Sequence, residues 1–455
     1  MSTGYTMGSD MSKSIRFIVF LLFVFAFLIS APLVVLYTAG YRFDLAHGRI
    51  VHTAVLNITS TPRNATVLVN QEPYSDRTPA VIDTILPGEH IVQLEKTGYL
   101  PWETLLTFGS REALVVGPIT LFLDAQPELQ ETLTTTLISP HPSSNRFAYV
   151  SQESSWLEVW LVDASSQEKN LLMRLPYDAR SQYDLSWSKQ GTYLLLEEQS
   201  GTQSDIYVSR VHDGTALELG EESKHIERYW WDLSLDETLY VRSKNALTQL
   251  NLLNGDAETL TFDADLITSY DGQEVILSQS NNRAVISYQE EGTASIITYL
   301  PLGEYTFVEA PIGLVALHDV RRNRFILIDL ARRDQPILLN EEALIWKWSP
   351  DANVLLYSSG YDLKRYVRST HETQTLTRLS HPIDHLDWYP FGTTILYQTN
   401  GNLEALNLEN ATTLSQTHLA SGFSGTFWID PEGKNLHHLE STQDGWQWWT
   451  RALQN

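Results

Sequence analysis

The chain has 455 residues and no cysteine, with 31 Lys and Arg against 55 Asp and Glu, a formal net charge of −24. A surface this acidic repels nucleic acid and anionic lipid headgroups, and no Lys/Arg cluster makes a local exception. The missing cysteines exclude disulfides, a thiolate nucleophile and thiolate metal sites, while 43% apolar and 11% aromatic residues argue for packed cores.

Residues 1–16 are a polar tail containing Gly and Ser, expected to be disordered. Residues 17–37 (FIVFLLFVFAFLISAPLVVLY) carry no charge over 21 residues. As a helix this run spans about 31 Å, close to the hydrocarbon thickness of a bilayer. A secretory signal peptide is the rival reading, but its apolar core is shorter, about 7–15 residues, and ends in a small-x-small cleavage site. Here Ser30-Ala31 is followed by Pro32 and more apolar residues. An uncleaved transmembrane helix is expected, engaging the lipid bilayer through residues 17–37. Lys13 and Arg16 precede it and Arg42 and Arg49 follow it, so charge alone sets no orientation. Residues 38–52 read as a juxtamembrane connection.

Beyond residue 52, short apolar runs alternate with turn residues, which points to an all-β ectodomain. A first β unit is expected over 53–124, with strands near 54–59, 65–70, 90–96, 102–108 and 113–122. The stretch 86–102, LPGEHIVQLEKTGYLPW, shows why. Pro87 fixes φ at a turn entry and Gly88 accepts a positive φ after it. Val92 and Leu94 then alternate with Gln93 and Glu95, the period of a strand with one buried face. Gly98 serves the next turn, and Tyr99 and Trp102 are placed to cover a small core. In order, Ser60-Thr61-Pro62, Ala65-Thr66-Val67, Thr78-Pro79, Leu86-Pro87-Gly88-Glu89-His90 and Lys96-Thr97-Gly98-Tyr99 resemble the PEGA family of small β domains. The resemblance implies a small β-sandwich beside a membrane anchor in a bacterial cell envelope. It implies no chemistry.

The remainder, 125–455, repeats. LSWSKQGTYLLLEE (185–198), IWKWSPDANVLLYSS (345–359), LDWYPFGTTILYQT (386–399) and FWIDPEGKNLHHLE (427–440) share an aromatic strand ending, a Ser/Asp-Pro-type turn and an apolar strand. WWDLSLDETLYVRS (230–243) and ISPHPSSNRFAYVSQ (138–152) are weaker copies. Trp348, Trp388 and Trp428 lie 40 residues apart, and 45 residues separate Trp187 from Asp232. The 116 residues from Asp232 to Trp348 leave room for two unmarked units beginning near Thr268 and Phe307. A period near 40 with about four short strands per unit indicates a β-propeller. Eight markers are counted from Ile138, and seven blades stand as the alternative. The last unit ends after three strands, so 129–135 is expected to supply the fourth and close the ring, which removes an exposed sheet edge. The Ser-Pro-Asp turns resemble TolB-type and WD-like propeller repeats.

Catalytic signatures are sparse. The nearest approach to a G-x-S-x-G elbow is Gly422-Phe423-Ser424-Gly425, one residue short. His437-His438 falls in a strand pattern, so the two rings project to opposite faces and do not chelate one ion. Ser349-Pro350-Asp351 and Asp430-Pro431-Glu432-Gly433 read as Asx-type turns rather than calcium loops. No cofactor or metal is expected. Trp187, Trp348, Trp388 and Trp428 hold equivalent repeat positions and read as packing between blades. Trp446, Trp448 and Trp449 (GWQWWT) fall outside that position and are the candidates for stacking on a ligand. Asn57, Asn64 and Asn410 head glycosylation triplets.

The functional expectation is a non-enzymatic, single-pass, extracytoplasmic binding or scaffolding protein. Its propeller would be presented to an envelope protein, peptide or glycan. The alternative is an envelope lyase or glycan hydrolase with a site in the propeller funnel.

Overall fold

The computed structural model describes residues 13–44, 48–135, 137–217, 219–244, 246–261, 264–280, 282–290, 293–408, 414–423, 425–443 and 445–455. Asn410 and Ser424 lie outside them. The chain divides into two compact units, the first ending at Leu121 and the second beginning at Phe122.

The first unit opens with the helix Lys13–Thr38. Its segment Arg16–Thr38 is 23 residues of apolar helix, none of it buried by the rest of the chain. That is long and apolar enough to cross a membrane. The Arg42 guanidinium donates to Tyr37 O (2.8 Å), satisfying a carbonyl that the helix end leaves without an intrahelical partner. Residues 38–52, expected only to connect, form a hairpin of Tyr41–Asp44 and Arg49–His52.

Two sheets follow. Ala80–Ile85, Ala54–Thr61 and Ala113–Thr120 form one in that order, the last pair running parallel. Glu72–Arg77, Thr66–Val69, Gly88–Glu95 and Trp102–Phe108 form the other. Alternate residues such as Leu56, Ile58, Val67, Val92, Leu94 and Leu106 meet between them in one core. The five expected strands are present, and Glu72–Arg77 and Ala80–Ile85 are additional. Glu72–Arg77 is an edge strand with no buried residue, so it carries no apolar signal. Its Pro73 is tolerated at an edge because no ladder donor is needed there.

In the second unit, the described residues form eight four-stranded antiparallel sheets. Blades one to seven are meanders over 137–176, 182–217, 228–259, 266–300, 305–342, 345–378 and 383–421. Blade eight takes Thr426–Ile429, Asn435–Thr442 and Gly445–Ala452, and its outermost strand is Glu128–Leu133. The count is therefore eight, and the predicted closing strand is in place. The two units without a sequence marker, expected near Thr268 and Phe307, begin with Leu266–Tyr270 and Tyr305–Val308.

Each blade is apolar on both faces of its middle strands, as in Tyr193–Leu196 and Leu355–Tyr357, because both faces are covered by neighbouring blades. Ile206 and Val208 of blade two pack with Leu239 and Val241 of blade three, and Leu327 of blade five packs with Tyr357 of blade six. Between blades seven and eight, His385 and Phe427 meet edge to face with ring centroids 4.5 Å apart. The ring closes where Phe147 of blade one packs on Trp428 and Trp448 of blade eight, at centroid distances of 5.8 and 5.2 Å. Arg451 is buried beside this closure. It donates to Leu419 O and, at 3.2 Å, to Leu123 O, while Leu123 N donates to Leu453 O (3.0 Å).

Candidate functional site

Five innermost strands carry a tryptophan at or near their end, and each indole N–H crosses to a neighbouring blade. Trp187 donates to Ser139 Oγ (3.1 Å) and Trp231 to Ser186 Oγ (2.8 Å). Trp348 donates to Glu309 O (3.2 Å), Trp388 to Lys347 O (3.3 Å) and Trp428 to Asn145 Oδ1 (3.0 Å). The geometry matches the packing role read from the repeat, and it shows that Trp231, not Asp232, is the equivalent of Trp187. Asp232 belongs to the turn that follows, where its Oδ1 accepts from Ser234 N (2.7 Å) and Leu235 N (2.8 Å). Ser188, Ser349 and Asp430 cap the corresponding turns by accepting from Tyr193 N, Val354 N and Lys434 N.

These turns and indole faces line a continuous depression. Three cavities of about 650, 520 and 490 Å³ share their walls. Pro142 lines all three, Glu309 lines the first two, and Trp348 and Pro350 line the last two. Pro142 belongs to blade one and Glu309 follows the first strand of blade five, opposite positions in an eight-membered ring. The depression is therefore the mouth of the central channel. A further cavity of about 240 Å³ extends it from Lys189 and Leu233 to Pro311 and Ile312.

The lining mixes apolar and polar surface, with Pro142, Pro311, Pro350, Pro390 and Pro431 set between the tryptophans and Glu197, Glu227, Glu309 and Asp387 among them. Its cations are already engaged. Lys189 Nζ donates to Leu233 O (2.8 Å), Lys347 pairs with Asp387 (3.2 Å), and Arg228 donates to Tyr305 O (2.9 Å). Burial pulls the Arg228 guanidinium below its ordinary value. His141 lies against Trp187 with centroids 4.8 Å apart. Its Nδ1 accepts from Ser143 N (3.1 Å), and burial holds the ring below the usual imidazole range. On the rim, Ile312 is 95% exposed, Phe391 57% and Leu235 40%. All three sit in turns between the first and second strands of a blade, the same end of the ring as the mouth. Such an arrangement offers apolar contact, backbone carbonyls and isolated carboxylates, the resources of recognition. Among the described residues, no group of three or more His, Asp or Glu side chains could hold a metal ion.

The tryptophans singled out for ligand stacking lie elsewhere. Trp448 is 2% exposed, packed between Phe147 and His437, and has no open face to offer. Trp446 is half-buried on the same side of the strand, against the closure core. Trp449 points to the opposite side and stacks on His438 at an interplanar angle of 3°. The three do not form one surface. His437 and His438 are both buried, their rings on opposite faces as the strand pattern requires.

In the first unit, the signature residues converge. The buried Thr78 hydroxyl meets Ser60 Oγ (2.6 Å) and accepts from Ala65 N (3.0 Å), and Ser60 Oγ also donates to Pro62 O (2.7 Å). His90 bridges Asn70 Nδ2 and Leu86 O, both at 2.8 Å. Lys96 Nζ reaches Arg63 O (3.0 Å), and Gly98 holds φ of +80°, a conformation that L side chains rarely adopt.

Residues 53–117 match the PEGA domain.

No curated protein sequence matches the chain. Among solved structures, Sqt1 of Saccharomyces cerevisiae is similar over 72% of this chain and 98% of its own, at 12% identity and a TM-score of 0.47. The Dos1 propeller is similar over 73% and 96%, at 16% identity and 0.46. An oligogalacturonate lyase in complex with manganese is similar over 72% and 96%, at 10% identity and 0.39.

Within the PEGA domain, the ordered motifs are thus folding determinants, each satisfying a turn or a buried backbone group. The funnel is where the sequence places the alternative site, but its lining residues are not legible in advance. Their one sequence signal is the proline that recurs just after the tryptophan markers at Pro350, Pro390 and Pro431. Nothing in the sequence marks Ile312.

Proposed function

We propose that this chain is a membrane-anchored, non-enzymatic scaffold whose propeller binds a protein or peptide partner at the channel mouth. The observation that carries the reading is the continuous Trp- and Pro-lined depression with Ile312, Phe391 and Leu235 exposed around it. Rigid rings lose little conformational entropy on binding, and the three exposed apolar residues stand on blades three, five and seven around the same end of the ring. The helix Arg16–Thr38 supports anchoring in a bilayer, and the PEGA domain supports an extracytoplasmic place in a cell envelope, between anchor and propeller in chain order.

A photoreactive residue placed at Ile312 in the full-length membrane protein is expected to form a discrete protein adduct. The same probe at Tyr361, exposed in a turn at the other end of the ring, should form none. Replacing Ile312 and Phe391 together by Asp should abolish an adduct formed from a neighbouring probe at Leu235 while leaving unfolding unchanged. Equal adducts at Ile312 and Tyr361 would count against the mouth. Protease digestion of intact cells tests the orientation, since a protected propeller places it in the cytoplasm.

A further inference from the structure

The hairpin between the helix and the PEGA domain is built with an outward apolar face. Tyr41 pairs with His52 and Phe43 with Ile50 across its two strands, so these four side chains share one side. The Tyr41 and His52 rings meet edge to face at 5.2 Å, but Phe43 and Ile50 are each 56% exposed and form a cross-strand apolar pair with nothing over it. Such a pair steadies the hairpin by about 0.2–1 kcal/mol, but more than half of each side chain's surface stays open to whatever adjoins it.

The root of the hairpin is fixed. Thr53 donates from its backbone N (2.9 Å) and its hydroxyl (3.1 Å) to Gly40 O, just past the helix end. The Arg42 guanidinium lies 3.7 Å above the Tyr37 ring, on the last turn of the helix. Arg111 of the PEGA domain donates to the Tyr41 hydroxyl (2.9 Å). The hairpin therefore starts three residues after Thr38, at Tyr41, and its root is held there. A helix of 23 residues is about 34 Å long, so when it spans the hydrocarbon its end reaches the headgroup layer. Phe43 is the third residue of its strand, only about 7 Å from Tyr41, a distance comparable with the headgroup layer of one leaflet, roughly 5–8 Å, so the Phe43/Ile50 pair is within reach of that layer. Tyr37 and Tyr41 carry the apolar body and polar tip that favour the same depth.

We infer that the Phe43/Ile50 face of the hairpin is a docking surface for the bilayer, seated at the boundary between headgroups and acyl chains beside the helix that anchors the protein. It makes a second, shallow contact that would restrain the PEGA domain against tilting about the helix. The inference rests on the helix crossing the membrane, as proposed above.

The chain has no cysteine, so single-cysteine variants label cleanly. Full-length F43C, I50C, F27C and V115C are labelled with an environment-sensitive fluorophore and reconstituted in phosphatidylcholine nanodiscs carrying lipids spin-labelled near the headgroup or near the chain end. Val115 is an equally exposed apolar residue of the PEGA domain, and Phe27 lies mid-helix. The label at 43 should be quenched roughly twofold more by the shallow than by the deep probe, as expected for a group about 5–10 Å into the interface. I50C should behave alike, F27C should show the reverse order, and V115C should be quenched by neither. Quenching at 27 without quenching at 43 or 50 overturns the docking surface and leaves the anchor standing. A blue-shifted label at 43 that no lipid probe quenches assigns the face to a protein and overturns it equally. Absence of quenching at 27 overturns both readings.

Discussion

Lowering the pH should loosen the propeller at blade eight, because His437 and His438 are buried as neutral rings. Burial, with a smaller contribution from His438, pushes His437 down to about 4, and burial does the same to His438. The geometry agrees for His437, whose Nδ1 accepts from the Trp448 indole (3.4 Å) and faces the Thr450 hydroxyl (2.9 Å), so a proton there would displace a donor. The ordinary value is 6.5. Between these values the unfolded chain binds more protons than the folded one, so stability is complete above about pH 6.5 and falls as pH drops toward 4. Each histidine contributes a slope of about 1.4 kcal/mol per pH unit in that window, so together they remove on the order of 5 kcal/mol by its lower end. That is comparable with the entire stability of an ordinary domain, roughly 5–15 kcal/mol. His141, His318 and His385, also lowered by burial, add slope of the same sign. Asp163, Asp213 and Asp351 are held below 3.8 and lose their contribution only under it. The assay is guanidinium unfolding of the solubilised protein from about pH 7 to about pH 5, followed by tryptophan fluorescence. The H437Q/H438Q variant should be less stable at neutral pH but show a clearly flatter dependence. A wild type of constant stability over that range, or a double variant with the wild-type slope, would refute the reasoning.

Two further outcomes are expected. Phe147→Ala, at the fully buried closure between blades one and eight, should cost about 3–5 kcal/mol in urea unfolding and make the C-terminal strand the first site of proteolysis. Thr78→Val should destabilise the PEGA domain by about 1–3 kcal/mol, because Ala65 N loses its acceptor in a closed core, and hydrogen exchange at Ala65 should rise more than at Val92.

The fold was legible where local chemistry repeats. In five of the eight blades the tryptophan-then-turn unit reports the end of the innermost strand, since the indole reaches a neighbouring blade and the turn after it must be capped. Blades four and five lack that tryptophan, yet spacing alone located their first strands. Glu72–Arg77 was not legible because an edge strand that sends only Tyr74 toward the core shows no apolar alternation. The hairpin at 41–52 was not legible because its apolar face turns outward, so no core periodicity selects it. The Trp446, Trp448 and Trp449 cluster misled for the opposite reason. Adjacent residues of a strand point to opposite sides, so an aromatic run in sequence is not an aromatic patch in space. The channel mouth is assembled from turns of blades hundreds of residues apart, and only closure of the ring brings Pro142 and Glu309 to one cavity.

Because Glu128–Leu133 completes blade eight, the segment that leads into the propeller is also the lock of the ring. During synthesis this strand waits, unpaired, until Gly445–Ala452 has emerged, so the propeller is finished only by its last residues. Once it is finished, any pull applied through the preceding chain enters the propeller at this same joint. The tension is resisted first by the contacts of Leu123 with Leu453 and Arg451 and by the pairing of Glu128 with Thr450. The strand that completes the ring is thus also the first part of the propeller that such a pull would load.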